Sequence, residues 1–221
     1  MTNLDLLRAA NPHIHIYSVN DKEFSRYGKV IKTDTDELCE IVRSSVEYPE
    51  TGSRYNAAYE PLDSSEAAAK FRAVFCGELD EEMGLCWGHS NRLNALEWHT
   101  CNEFNIAVRE LVLLLAKRSD MDEENRLDSA KVKAFYLGNG EMIEVFADTL
   151  HFCPCEVTEN GFACIAALQR GTNLPLEGEK KPGQLLWMKN KWLIAHEENA
   201  AMLEKGAFPG IYGENIVINR I

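Results

Sequence analysis

The sequence predicts a mainly β chain, an antiparallel sandwich or barrel with helical and irregular additions at its N- and C-terminal ends. Two observations point there. From Met83 onward, the apolar or alternating segments "MGLCWGHS", "LNALEWHT", "FNIAVRELVLLLAK", "SAKVKAFYLG", "EMIEVFAD", "LHFCPCEVTE" and "FACIAALQRG" follow one another between turns rich in Gly, Asn, Asp or Ser. Their spacing of roughly ten to fifteen residues belongs to sandwiches and barrels of antiparallel strands. The helical spacing in the chain lies mostly outside this region.

The parts are expected to form one domain over residues 1–221. Residues 1–70 are mixed. "DTDELCEIVRSSVEY", Asp34 to Tyr48, spaces Leu38, Ile41, Val42 and Val46 as a helix does and opens on the acidic residues that suit a helix N-terminus. "SSEAAAKFRAVF" reads as a short helix feeding a strand. Residues 71–170 are the β core. Within them "VRELVLLLAK" fits helical periodicity too, but its Val and Leu content and the rhythm around it favour a strand. Residues 171–221 contain Trp187 and Trp192, a helical turn at "EENAAMLEKG" ending at Gly206, and loops marked by Pro and Gly. A tail of this kind can wrap or close one end of a barrel.

Composition narrows the class. A hydrophobic share of 45% and a charged share of 26% are those of an ordinary soluble globular protein. No apolar run approaches the ~18 residues of a spanning helix, so no membrane association is expected. The first residues, "MTNLDLLRAANPHIHIYS", lack a basic start and a long apolar stretch, and the expected location is the cytoplasm. A net charge of −12 repels phosphate backbones and argues against nucleic acid as a partner. The seven cysteines are odd in number, contain no C-x-x-C pair and mostly lie in apolar runs. They read as small buried hydrophobes without disulfides.

The chemistry-bearing stretch is "LEWHTCNEFNIAV", with Glu97, His99 and Glu103 inside seven residues amid apolar neighbours. On a strand, residues two apart share a face, so Glu97 and His99 point together while Leu96 and Trp98 point away. "TCN" can then bend the chain so that Glu103 returns beside them. His151, in "EVFADTLHFCPCEV", lies on an apolar strand that can run opposite. Two imidazoles and two carboxylates around one cavity make a ligand set for a divalent metal such as zinc, manganese, iron or nickel. Trp87, His89 and Asn94, leading into this strand, offer the ring and polar groups that suit a polyhydroxylated ligand. His196 in the tail can reach the barrel mouth. His13 and His15 form an H-x-H without a nearby carboxylate and read as structural.

The Glu97–Glu103 segment resembles the first cupin motif, with Glu97-Trp98-His99 standing where H-x-H is usual and Glu103 at the family's spacing. "GNGEMIEVFADTLHFCP" resembles the second motif, and His151 matches its histidine. Through the "LNALEWH", "TLH" and "RGTN" blocks, most of the chain is similar to a bacterial family of cupin-like proteins. Two features depart from the pattern: Glu97 replaces a histidine, and Arg109 and Glu110 stand near the place of the closing glycine. The resemblance implies a cupin-type jelly roll. It also implies a metal-dependent enzyme for a small carbohydrate or sugar acid, an isomerase or epimerase, often a homodimer. In that scheme His99, Glu103 and His151 hold the metal, and Glu97 is the fourth ligand or the catalytic base. Two other classes fit the same residues, a non-catalytic sugar-binding or regulatory module and an iron-dependent oxygenase.

Protein prepared without oxidant is expected to give seven free thiols when titrated after unfolding. A smaller number would mean that the cysteines are paired.

Overall fold

The computed structural model describes residues 1–179 and 181–221. In chain order the strands begin with β1 (Ile16–Ser18), β2 (Gly28–Ile31), β3 (Ser53–Asn56), β4 (Glu81–Gly88), β5 (Ala95–Trp98) and β6 (Glu103–Arg109). They continue with β7 (Leu111–Lys117), β8 (Leu127–Asp128), β9 (Lys133–Leu137), β10 (Met142–Val145) and β11 (Thr149–Leu150). The last are β12 (Cys155–Glu156), β13 (Phe162–Gln169), β14 (Leu186–Met188), β15 (Lys191–His196) and β16 (Phe208–Tyr212). The helices are α1 (Asn3–Ala10), α2 (Asp36–Ser45), α3 (Glu60–Asp63), α4 (Glu66–Phe75) and α5 (Ala200–Glu204).

The architecture is mainly β and layered, with largely antiparallel sheets, as the strand rhythm predicts. One sheet runs β2-β10-β6-β13-β4-β3 with every pair antiparallel. A second runs β1-β9-β7, and β11 and β12 both pair with β7. A third runs β14-β15-β16-β8, with β5 pairing with β15. The N-terminal segment and the tail also contribute strands. β1 lies parallel to β9, and β16 lies parallel to both β15 and β8.

Side-chain alternation explains the layering. Along β6, Phe104, Ile106 and Val108 face α2, α3 and α4, joining Met83, Leu85 and Trp87 of β4 and Leu38, Val42 and Phe71 of the helices. Ala107 points the other way, into an apolar layer with Leu111, Leu113 and Leu115 of β7, Phe135 of β9 and Phe162 of β13. The opposite face of β7, Val112, Leu114 and Ala116, packs on Leu96, Trp98, Ile194 and Ile211 of the third sheet. Central strands are therefore covered on both faces, which is why "VLLLA" reads as a continuous apolar run instead of an alternating one. The two longest helices start as their sequences suggest. α2 opens on Asp36 and Glu37, and Ser65 caps α4 by accepting from the Ala68 N–H. No helix among the described residues is long and apolar enough to cross a membrane.

Ile106 is fully buried between β6 and the helices, whereas Val74 is 72% exposed. Chemical denaturation is expected to find Ile106→Ala destabilised by about 2–5 kcal/mol and Val74→Ala within about 0.5 kcal/mol of the parent. A neutral Ile106→Ala would contradict burial on both faces of β6.

Candidate metal centre

The site is built at a corner. β5 belongs to the third sheet, with Glu97 opposite Leu193 of β15. On its other side Glu97 bridges His151 directly. The Glu97 N–H donates to the His151 carbonyl at 2.7 Å, and the His151 N–H donates to the Glu97 carbonyl at 3.0 Å. Leu96 and Trp98 enter the apolar core, so Glu97 and His99 face away from it. The chain turns through Thr100, Cys101 and Asn102 and enters the first sheet as β6, whose first residue is Glu103. One short stretch thus crosses from one sheet to another and leaves its polar side chains in the gap.

Glu97, His99, Glu103 and His151 are all buried, each less than one-tenth exposed. Nε2 of His151 lies 3.2 Å from Oε2 of Glu103. Nε2 of His99 lies 3.4 Å from that same oxygen and 4.0 Å from Oε1 of Glu97. Ligand atoms of Glu97, His99 and His151 fall within 4.8 Å of one another. The other oxygen of Glu103 accepts from Nδ2 of Asn105 at 2.7 Å.

Both imidazoles are held from behind. Nδ1 of His99 is 2.7 Å from the Asn190 carbonyl, and Nδ1 of His151 is 3.0 Å from the Thr149 carbonyl. A carbonyl oxygen only accepts, so each Nδ1 carries a proton, and a ring that is neutral turns its Nε2 lone pair inward. Asn190 reaches His99 because it occupies the turn between β14 and β15 with φ 54°, the left-handed conformation that Asn tolerates. Its Oδ1 also accepts from the Thr100 N–H at 3.0 Å, which locks the corner to the turn.

Burial alone would push the Glu103 carboxyl up, but the His151 and His99 rings beside it outweigh this and hold it well below the usual carboxylate range. Burial alone would lower His151. The adjacent Glu103 carboxylate and the Thr149 carbonyl outweigh that and raise it. A buried lysine completes the group. Lys191 of β15 places Nζ 2.5 Å from Oε2 of Glu97, and burial brings its ammonium down to about 8.

These residues fit a divalent cation. Nε2 of His99 is buried without a hydrogen-bond partner, and the groups nearest to it, carboxylate oxygens, are acceptors as well. Acceptors gathered in a low-dielectric pocket repel unless a positive charge joins them. Imidazole and carboxylate donors suit zinc, manganese, iron or nickel. Backbone carbonyls behind both histidines supply the orienting hydrogen bonds that metal-binding imidazoles usually have.

The cluster opens on a cavity of about 430 Å³ lined by residues of all three sheets, among them Tyr55, Cys86, Glu97, Glu103, Asn105, His151, Cys153, Cys164, Trp187 and Lys191. The sequence-predicted ligand-contacting residues do not line it. Trp87 is on the helix-facing side of β4, where its Nε1 donates to the Glu47 carbonyl. His89 lies just beyond β4 and pairs with Glu156 at 2.6 Å. Asn94 takes φ 53° and its carbonyl accepts from the His196 N–H. His196 is fully buried at the end of β15, where its Nδ1 accepts from the Glu198 N–H. Conversely, sequence reasoning passed over Lys191, Asn105 and Asn190. The dipeptide Lys189-Asn190 between two tryptophan-bearing apolar segments is a hairpin-turn signal that locates the last of these.

A family model described as "Domain of unknown function (DUF4867)" matches residues 16–216. The chain belongs to this family. No curated protein matches it. Solved structures similar to it include oxalate decarboxylase from Bacillus subtilis at pH 4.6, with 10% identity and a TM-score of 0.31 over 44% of this chain and 23% of that one. A structure of the same enzyme, described for its Mn(II) centres, has 8% identity and a TM-score of 0.32 over 56% and 28% of the two chains. The chain spans about a quarter of the length of these decarboxylase chains.

The Glu103–His151 pair ties the stability of metal-free protein to pH. The lowered Glu103 contributes above its unfolded value of about 4.3, and that contribution is lost as pH falls. The raised His151 contributes fully below its unfolded value of about 6.5, and that contribution is lost as pH rises through its folded value. Metal-free protein is therefore expected to melt at lower temperature as pH is raised beyond about 6.5, with the alkaline loss reduced in His151→Asn. Added divalent metal should reverse the slope, because ligation requires neutral imidazoles. Identical alkaline slopes in parent and variant would contradict the pairing.

Proposed function

We propose that the chain is a metal-dependent enzyme acting on a small carbohydrate or sugar acid, with isomerisation or epimerisation as its reaction. The observation that carries this reading is the orphaned, buried Nε2 of His99 facing the carboxylates of Glu97 and Glu103. His99, Glu103 and His151 would hold the ion. The chemistry supplied at that position would be Lewis-acid polarisation of a ligand oxygen, which would make the adjacent carbon-bound proton easier to remove. Glu97, at the cavity wall and 4.0 Å from Nε2 of His99, would take that proton and return it. The Lys191 ammonium is the ion-pair partner of its carboxylate. Isomerisation is preferred among cupin chemistries on the resemblance of the Glu97–Glu103 segment to the first cupin motif.

Elemental analysis of purified protein is expected to find about one equivalent of a first-row metal, in keeping with the one such cluster among the described residues. His99→Ala should lose that metal and keep the β fold by circular dichroism. Glu97→Gln should keep the metal and slow solvent-deuterium incorporation into aldose–ketose pairs in heavy water by about a hundredfold or more. A parent protein without metal, or a His99→Ala variant retaining a full equivalent, would leave a non-catalytic binding module as the better reading.

A further inference from the structure

The cavity wall reverses the charge balance of the molecule. The chain as a whole has a net charge of −12, yet three cationic side chains belong to this wall. Lys191 lies at its base beside the acceptor cluster, and Arg54 and Lys205 are exposed residues of its outer part. The carboxylates lining the cavity are Glu97 and Glu103, and both belong to the cluster. A divalent ion balances them and leaves the buried Lys191 ammonium with no further carboxylate in the cavity lining.

Lys191 is the most informative of the three. It is only 9% exposed, and a buried ammonium is costly unless its donors are matched. Its Nζ has three N–H groups. Glu97 lies 2.5 Å away, and the face of the Tyr55 ring lies 5.7 Å away. No other carboxylate among the described residues pairs with it. Phe152, Trp187 and Met202 add apolar surface to the cavity lining, which strengthens any ion pair made inside it.

We propose that Lys191 is the anion-binding residue of the cavity and that the ligand is an acid. It would be a small polyhydroxylated molecule whose carboxylate or phosphoester oxyanion meets the Lys191 ammonium, in preference to a neutral sugar. This rests on the carbohydrate reading above and narrows it. Lys191 acts as a specificity-determining residue next to Glu97, so the anionic end of the ligand is held close to the carboxylate that moves the proton.

Titration calorimetry on the purified protein tests this, with metal content measured on each sample. The probes are D-glucuronate, D-galacturonate, D-glucose 6-phosphate, D-glucose and D-galactose. At least one acid is expected to bind about tenfold or more tightly than its neutral counterpart. Preference for the uronates identifies a carboxylate, and preference for the sugar phosphate identifies a phosphoester. Lys191→Met should bring acid and neutral sugar to within about twofold at unchanged metal content, and Lys191→Arg should keep most of the preference. The proposal is overturned if parent protein binds neutral sugars as tightly as acids, if it binds none of the acids at millimolar concentration, or if Lys191→Met keeps the preference. If Lys191→Met does not fold, the parent ratio and Lys191→Arg decide. Lys191-dependent acid binding in protein without metal would uphold this proposal and sink the metal-enzyme reading. A full equivalent of metal with no acid preference would sink this proposal alone.

Discussion

The Nδ1 protons of His99 and His151 are committed to the backbone carbonyls of Asn190 and Thr149, and the chemistry of the cavity follows from that commitment. A neutral imidazole has one donor and one acceptor nitrogen. Once Nδ1 is spent, Nε2 presents a lone pair. Both lone pairs then face Oε2 of Glu103, with Glu97 beside them. Without a cation the arrangement resolves by protonation, which is the sense of the lowered Glu103 and the raised His151. Protons and a divalent ion compete for the same atoms.

This geometry depends on the layering. The histidine carbonyl partners come from a hairpin turn of the third sheet and from the segment that leads into the Glu97 bridge. Neither would hold its position unless the sheets were tightly packed. The apolar layers that bury both faces of β6 and β7 supply that rigidity, because close-packed side chains leave little freedom for a strand to shift. The corner at Thr100 to Asn102 is the point where the chain leaves one sheet for another, and the polar side chains collect there because neither apolar layer can receive them.

The cavity joins two contrasting regions. Its inner end gathers acceptors, and its wall carries cations and apolar rings. A buried lysine in the cavity wall of an acidic chain separates the site from the surface, whose excess of carboxylates disfavours anions in general. The Glu97–Lys191 contact links the two regions, since it ties a member of the cluster to a cation of the wall.

Much of the strand pattern was legible in the sequence. Turn-separated apolar segments after Met83 became strands, and α2 and the helical turn near Gly206 formed where spacing placed them. The association of Glu97, His99 and Glu103 was legible too, because period-two alternation and a short turn are local properties. Local pattern could not show which distant residues meet that cluster. Trp87 precedes it by a few residues but faces the helices, because strand alternation assigns faces one residue at a time and a single step reverses direction. His196 follows an apolar strand much as His151 does, yet it is enclosed at the end of β15. Lys191 and Asn190 are far from the cluster in sequence and read as an ordinary turn. Only the pairing of β15 with β5 brings them beside Glu97 and His99. Sequence by itself determined the strands and the local acceptor group. The tertiary structure decided its partners, because sheet pairing and register join residues whose sequence separation carries no periodic signal.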